Sequence, residues 1–260
     1  VASGAAGFLH RRFLPSREIW MQVKSGLAQG LWLRLRIPEE AGFWRGEHEP
    51  DIQQHIGSVA RPGDVIYDVG AHLGSLALGA ARIVGAAGGG RVVAFDADPE
   101  NVERLRQHAV RNQLQEALQP VHAAIWSHAA TQEIAFRRGE VSFSQGGVEA
   151  DGHRPVLAGS ELIQVPVITL DRFVTAGNPP PQLVKIDVEG GECEVLRGGP
   201  ELFATHRPLL IVEVHHQEAC DALNDWLAEF RYSSKWKIPA ENFPRHLLAW
   251  PAERPRPFGD

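Results

Sequence analysis

Residues 65–74, Val-Ile-Tyr-Asp-Val-Gly-Ala-His-Leu-Gly, constrain this chain more than any other stretch. Val65, Ile66, Tyr67 and Val69 favour a strand, and Gly70 and Gly74 interrupt it. Residues 75–84 follow with Leu76, Leu78, Ala80 and Ala81 as the apolar side of a helix. A strand, a glycine turn and a helix bring a ligand close to bare backbone at a helix N-terminus. The spacing is D-x-G-x-x-x-G, which is neither the G-x-G-x-x-G of dinucleotide sites nor the G-x-x-x-x-G-K-[ST] of phosphate loops.

Asp68, placed ahead of the first glycine, repels a pyrophosphate. It suits an uncharged or cationic ligand, such as the amino-acid end of S-adenosylmethionine. One strand later, residues 91–95 read as a short buried strand ending at Asp96. In doubly wound sheets an acid at this position accepts hydrogen bonds from both hydroxyls of a ribose. Asp98 and Pro99 then open a helix as N-cap and first helical residue, and Val102, Leu105, Ala109 and Leu114 follow at helical spacing.

The same alternation continues. Strands are predicted at residues 120–126, 133–136, 165–168, 183–187 and 208–214, the last near-continuously apolar and therefore parallel and buried on both faces. Helices are predicted from Thr169 or Asp171 to Phe173, from Glu192 to Arg197 and over residues 219–230. Residues 137–160 have no period and read as a long loop, and the Trp- and Pro-rich tail 231–260 reads as irregular. Ahead of the glycine turn, Ile19, Trp20, Val23 and Leu27 suit one short helix, residues 31–37 a half-exposed strand, and residues 52–59 a second helix. The fold class is α/β: a doubly wound, mostly parallel sheet with a short N-terminal accessory segment. Ligands of such sheets bind beyond the carboxyl ends of the strands. Asp68, Asp96, Asp187, Glu189, Glu213 and His215 all fall there.

Composition narrows the partners. A net charge of -6 argues against a nucleic-acid backbone as principal partner, leaving only local basic patches at Arg11/Arg12 and Lys235/Lys237. The two cysteines, Cys193 and Cys220, give neither a disulfide framework nor zinc spacing. A reducing, cytoplasmic compartment is the simplest expectation. No stretch reaches the ~20 apolar residues of a membrane helix, and no apolar core follows Arg11 and Arg12 as in a signal peptide. A homo-oligomer stays open.

Several ordered blocks resemble the FkbM-type S-adenosylmethionine-dependent methyltransferases over roughly residues 45–232. Gly46-Glu47-His48-Glu49 resembles that family's G-x-x-E turn, and residues 65–74 its first glycine motif. Residues 94–99 with Asn112 resemble its second-strand block, and residues 168–171 its T-L-D block. Residues 185–192, Lys-Ile-Asp-Val-Glu-Gly-Gly-Glu, resemble K-I-D-V-E-G-x-E, the most diagnostic segment, which Val195-Leu196-Arg197-Gly198 continues. The family usually has Asn where His72 stands and Glu-Pro where Asp96-Ala97 stands. The resemblance implies a Rossmann-like class I fold, S-adenosyl-L-methionine as cofactor, and O-methylation of a small-molecule hydroxyl of the sugar or polyketide type. It implies a cofactor site of Asp68, Gly70, His72, Gly74, Asp96, Ala97 and Glu49. The expected organisation is an accessory segment, 1–60, and a methyltransferase domain, 61–260.

For the chemistry, His215 is the first candidate for proton acceptor among the histidines, with Asp187 the alternative. His216 points to the other side of its strand, and His10, His108 and His153 read as surface residues. Glu189, Glu213 and Trp236 are candidates for holding the acceptor. Lys185, inside an apolar strand, needs a carboxylate partner, and Glu192 reads as a first-turn acid. A Mg²⁺ ion held by Asp187, Glu213 and His215 is the less favoured alternative to a metal-free site. The rival functions are a non-catalytic binding protein on this fold and a nucleotide-dependent oxidoreductase, against which Asp68 argues.

Overall fold

The computed structural model describes residues 17–136, 161–237 and 243–258, so the loop expected at 137–160 lies outside the described residues. The glycine turn sits where the sequence places it. β3 (Val65–Val69) runs into Gly70, and α3 (Ser75–Val84) starts after Gly74. β4 (Arg91–Asp96) follows, then α4 (Pro99–Arg111) and β5 (Leu118–His122). Asp98 caps α4 by accepting the Glu100 amide at 2.8 Å, with Pro99 in the first turn.

After β5 the chain crosses to the other half of the sheet. β9 (Leu183–Ile186) pairs in parallel with β3, and β10 (Leu209–Val214) in parallel with β9. The sheet has seven strands in the order β11-β12-β10-β9-β3-β4-β5, where β11 is Tyr232–Lys237 and β12 (Arg245–Pro251) is antiparallel to β10. The order reverses between β3 and β9. At that point the Asp187 amide donates to the Val69 carbonyl at 2.9 Å.

Alternate residues of each central strand face opposite cores. Ile66, Val92 and Ala94 pack on α3, α4 and α2 (Pro50–Val59). Tyr67, Val93, Phe95 and Ile186 pack on α6 (Glu192–Arg197), α7 (Pro200–Thr205) and α8 (Gln217–Glu229). Both faces are covered, which is why these strands lack the alternation of a half-exposed sheet. A smaller sheet stands beside this one: β6 (Ala124–Ile125) parallel to β8 (Glu161–Ile168), which pairs antiparallel with β7 (Ala130–Phe136). The expected strand 120–126 is therefore two strands, broken at Ala123 and belonging to different sheets.

Two other expectations are corrected. The short helix around residues 19–27 is instead the strand β1 (Arg17–Gln22), paired antiparallel with β2 (Trp32–Ile37), Ile19 opposite Leu35. The tail is not irregular: β11 (Tyr232–Lys237) and β12 form an antiparallel pair that completes the sheet. The β1–β2 hairpin lies over α4, where Asn112 bonds both the amide and the carbonyl of Trp32 at 2.7 and 2.8 Å. Among the described residues no helix is long and apolar enough to cross a membrane.

Candidate active site

A cleft of about 190 Å³ opens at the carboxyl ends of β3, β4, β9 and β10. One end is apolar, walled by Phe95, Ala97, Ala123, Ile125 and Trp126; the other is polar, walled by His48, Glu49, Asp187, Glu189 and Glu213. Gly70, His72 and Asp96 lie between them.

The glycine turn is shaped by its neighbours. Gly70 has φ +80°, and a Cβ there would lie 1.7 Å from the Asp187 carbonyl oxygen. The reversal in strand order thus forces β3 and β9 together at a point only glycine fits. A Cβ on Gly74 would lie 2.0 Å from Leu105 Cδ2, so this glycine serves the packing of α3 on α4 and is not part of the cleft wall. Asp68 is buried behind the wall, 3.3 Å from Lys185 Nζ. The same ammonium donates to the Gly70 carbonyl at 3.0 Å and lies 3.3 Å from Asp187 Oδ2. Burial opposes its charge, but Asp68 and Asp187 raise its pKa above the ordinary lysine value. Lys185 ties the glycine turn to the end of β9.

Asp96 is more committed than the sequence suggests. Its Oδ1 accepts the Asp98 amide at 2.8 Å and Asn101 Nδ2 at 3.2 Å, and its Oδ2 accepts the His72 amide at 2.7 Å. A carboxylate offers about four lone-pair sites, so one remains, on Oδ2. Burial pushes the Asp96 carboxyl up to about 7 against the pull of those three donors. His72 has φ +52° and its ring lies 5.5 Å from Phe43. Burial lowers its pKa to about 4, leaving a neutral imidazole on the cleft wall.

The acids at the far end surround His215. Its Nδ1 lies 2.7 Å from Glu192 Oε1, and its Nε2 3.5 Å from Glu189, 3.5 Å from Glu213 and 3.8 Å from Asp187. Burial alone would lower its pKa, but the hydrogen bonds to Glu192 and Glu213 and the surrounding negative charge push it up to about 10. These acids favour the imidazolium form, which has no lone pair for a proton, and that weighs against His215 as the general base. Glu192 does more than the first-turn acid its position suggests. Fully buried, its Oε1 also accepts the Gly190 amide at 2.8 Å and so anchors both the K-I-D-V-E-G turn and His215.

Glu213 is bonded on its other side to His246 Nε2 at 3.0 Å. Burial would raise its pKa, yet His215 and His246 hold it well below the usual carboxylate range. Glu189 goes the other way: burial raises its pKa, its backbone is left-handed with φ +54°, and its side chain lies on the cleft wall. Strained non-glycine backbone of this kind concentrates at functional sites. Asp187, Glu213 and His215 bring ligand atoms within 4.8 Å of one another, as do Glu49, Glu213 and His246.

The structure brings Glu49, Gly70, His72, Asp96, Ala97, Asp187, Glu189 and Glu213 onto one cleft. Asp68, Gly74 and His215 stand behind it. Trp236 does not reach the cleft; it packs half-buried against the core beneath α8, because β11 is an ordered edge strand. His216 caps α8, accepting the Ala219 amide at 3.2 Å. His108 is not a surface residue but is fully buried. The sequence reading missed Trp126 and His246, for different reasons. Trp126 follows a two-residue strand that breaks the expected one. His246 lies on β12, inside the tail read as irregular.

The strand order, the single antiparallel strand, the acid–glycine turn and the acid ending β4 define a class I S-adenosylmethionine-dependent methyltransferase. The sequence profile of the methyltransferase FkbM domain matches residues 68–234, and the chain belongs to that family. It is 27% identical over 209 residues to the hexuronic acid methyltransferase AglP of Haloferax volcanii, covering 75% of this chain and 79% of that one. The crystal structure of methyltransferase FkbM from Methylobacillus flagellatus KT shares the fold, with a TM-score of 0.50 and 18% identity. That match covers 78% of this chain and 51% of the other, so this chain spans about half the length of that protein.

Proposed function

We propose that this enzyme methylates a hydroxyl group of a small sugar-like acceptor. The observation that carries this reading is the convergence of Asp187, Glu189 and Glu213 on one end of a cleft whose middle is the glycine turn. The cleft fits the cofactor. Gly70 lines the cleft with backbone alone, Asp96 keeps one lone pair for a ribose hydroxyl, and the apolar end accepts a purine ring. Glu49 Oε1 is buried without a hydrogen-bond donor, a vacancy suited to the cofactor's ammonium.

Bound here, S-adenosylmethionine would supply a methyl group on its sulfonium for transfer to the acceptor oxygen, with S-adenosylhomocysteine as the leaving thioether. The chain's own part is alignment, worth much of the barrier when reacting atoms are held at near-attack distance, and removal of the hydroxyl proton. Glu189 is the proposed proton acceptor, since its raised pKa brings it nearer to neutrality. Asp187, fixed by Lys185, and Glu213, fixed by His246, orient the hydroxyl. Charged His215 holds the acids in register and limits their mutual repulsion.

The reading is tested by methyl transfer from labelled S-adenosylmethionine to a panel of glycosides, with product position fixed by NMR. Transfer only to nitrogen or carbon acceptors would overturn it. His215 and His246 already occupy Glu213, so the proposed chemistry is metal-free and activity is expected to survive EDTA. Complete loss with EDTA and rescue by Mg²⁺ would make the cluster of Asp187, Glu213 and His215 a metal site.

A further inference from the structure

The polar end of the cleft has an unbalanced charge. Glu49, Asp187, Glu189 and Glu213 line it, and Asp68 and Glu192 lie directly behind. Lys185, His215 and His246 are the cations bonded into this group. Among the described residues six acids thus stand against these three cations and His48, which lies 3.2 Å from Glu49, and none of the three cations lines the cleft. Each is engaged by the protein's own groups: Lys185 by Asp68, Asp187 and the Gly70 carbonyl, His215 by Glu192 with its Nε2 3.5 Å from Glu189 and Glu213, and His246 by Glu213. Among the described residues, the surface offered to a guest here consists of carboxylates and His48. S-adenosylmethionine carries a single net positive charge and does not neutralise the excess. Negative potential in a cleft with apolar walls is focused, not screened.

We propose that the acceptor is an aminated sugar, bound through its ammonium and hydroxyl donors by Glu189 and Glu213. This rests on the methyltransferase reading above and names its substrate class. It departs from the Haloferax volcanii relative, a hexuronic acid methyltransferase, because a uronate would place a further carboxylate against a wall where acids already outnumber cations. An ammonium forms charge-assisted hydrogen bonds, about twice as strong as those of a neutral hydroxyl.

The test uses the full chain saturated with S-adenosylhomocysteine. Isothermal titration then compares three methyl glycosides of one ring configuration: a 2-amino glucoside, glucoside and glucuronide, the last with and without Mg²⁺. The aminated ligand is expected to bind at least about tenfold more tightly than glucoside, the factor expected from about 1.4 kcal/mol, with glucuronide weakest. The advantage should shrink as salt rises from ~0.05 to ~0.5 M and in Glu213→Gln. Glucoside or glucuronide binding as tightly as the aminated sugar overturns the proposal, including the case where Mg²⁺ makes glucuronide the best ligand. Absence of binding by all three to the loaded protein also overturns it. Failure to bind S-adenosylhomocysteine in the first step would instead remove the methyltransferase reading itself.

Discussion

His72 and His215 stand on the same site in opposite charge states. His72 is half-buried with no carboxylate bonded to its ring, so desolvation decides and the neutral form is favoured. His215 has Glu192 at 2.7 Å and three more acids within 4 Å, so the charged form wins despite burial. Two predictions follow from this difference. Glu189→Gln should lower turnover by about 10²–10⁴-fold, the span typical of losing a general base, with S-adenosylhomocysteine affinity nearly unchanged. His215→Gln should lose turnover less steeply; if it loses more than Glu189→Gln, the base assignment returns to the histidine. The second concerns stability. A histidine whose folded pKa lies near 10, against 6.5 ordinarily, binds its proton more tightly in the native state. Its contribution is complete below about pH 6.5 and is lost as pH rises through about 10. Urea midpoints between pH 6 and 10.5 should therefore fall more steeply for wild type than for His215→Gln. Parallel curves would show that the ring is not held charged by its acids.

At the scale of elements, legibility followed periodicity. α3 and α6 have the bounds read from sequence, because an apolar stripe and flanking glycines mark both. β1 looks helical in sequence because Ile19, Trp20, Val23 and Leu27 have helical spacing, whereas its order comes from pairing with β2, which no local pattern reports. The tail looks irregular for the same reason: alternation in Tyr232-Ser-Ser-Lys-Trp-Lys is weak, and the partner strand is β12, which itself docks on β10. The cofactor turn was legible as a motif, but the reason for its glycines was not. Gly70 is required by the Asp187 carbonyl of a strand 117 residues on, as well as by its φ of +80°. Gly63 separates these two causes, since it has φ +92° and nothing within 4 Å of its Cβ position. Gly63→Ala should cost about 1 kcal/mol from backbone strain alone. Gly70→Ala adds a backbone collision and should cost about 3 kcal/mol or more. Equal urea midpoints for the two variants would show that β9 yields to the methyl group.

Across the whole molecule, the N-terminal hairpin is connected to the cofactor turn through one side chain. His108 Nε2 lies 2.9 Å from the Arg34 amide on β2, and its Nδ1 2.9 Å from the Leu73 carbonyl in the glycine turn. A backbone amide can only donate and a carbonyl can only accept. The ring is therefore the neutral tautomer with its proton on Nδ1, and burial accordingly lowers its pKa to about 4. Beside it the buried Arg104–Glu40 pair, at 2.6 Å, joins α4 to the turn after β2, and Arg104 also donates to the Arg34 carbonyl at 2.7 Å. The hairpin, α4 and the turn that carries Gly70, His72 and Gly74 thus share one set of polar contacts. His108→Leu would strand the Arg34 amide and the Leu73 carbonyl, at about 1–3 kcal/mol each if neither finds water. Its global stability should fall by that order. If the strut also sets the shape of the cofactor turn, S-adenosylhomocysteine should bind about tenfold more weakly at a temperature where the variant is fully folded. His108→Gln, long enough to keep one of the two bonds, should fall between Leu and wild type on both measurements. A lower melting temperature with unchanged affinity in His108→Leu would mean that the hairpin stabilises the domain without shaping its site.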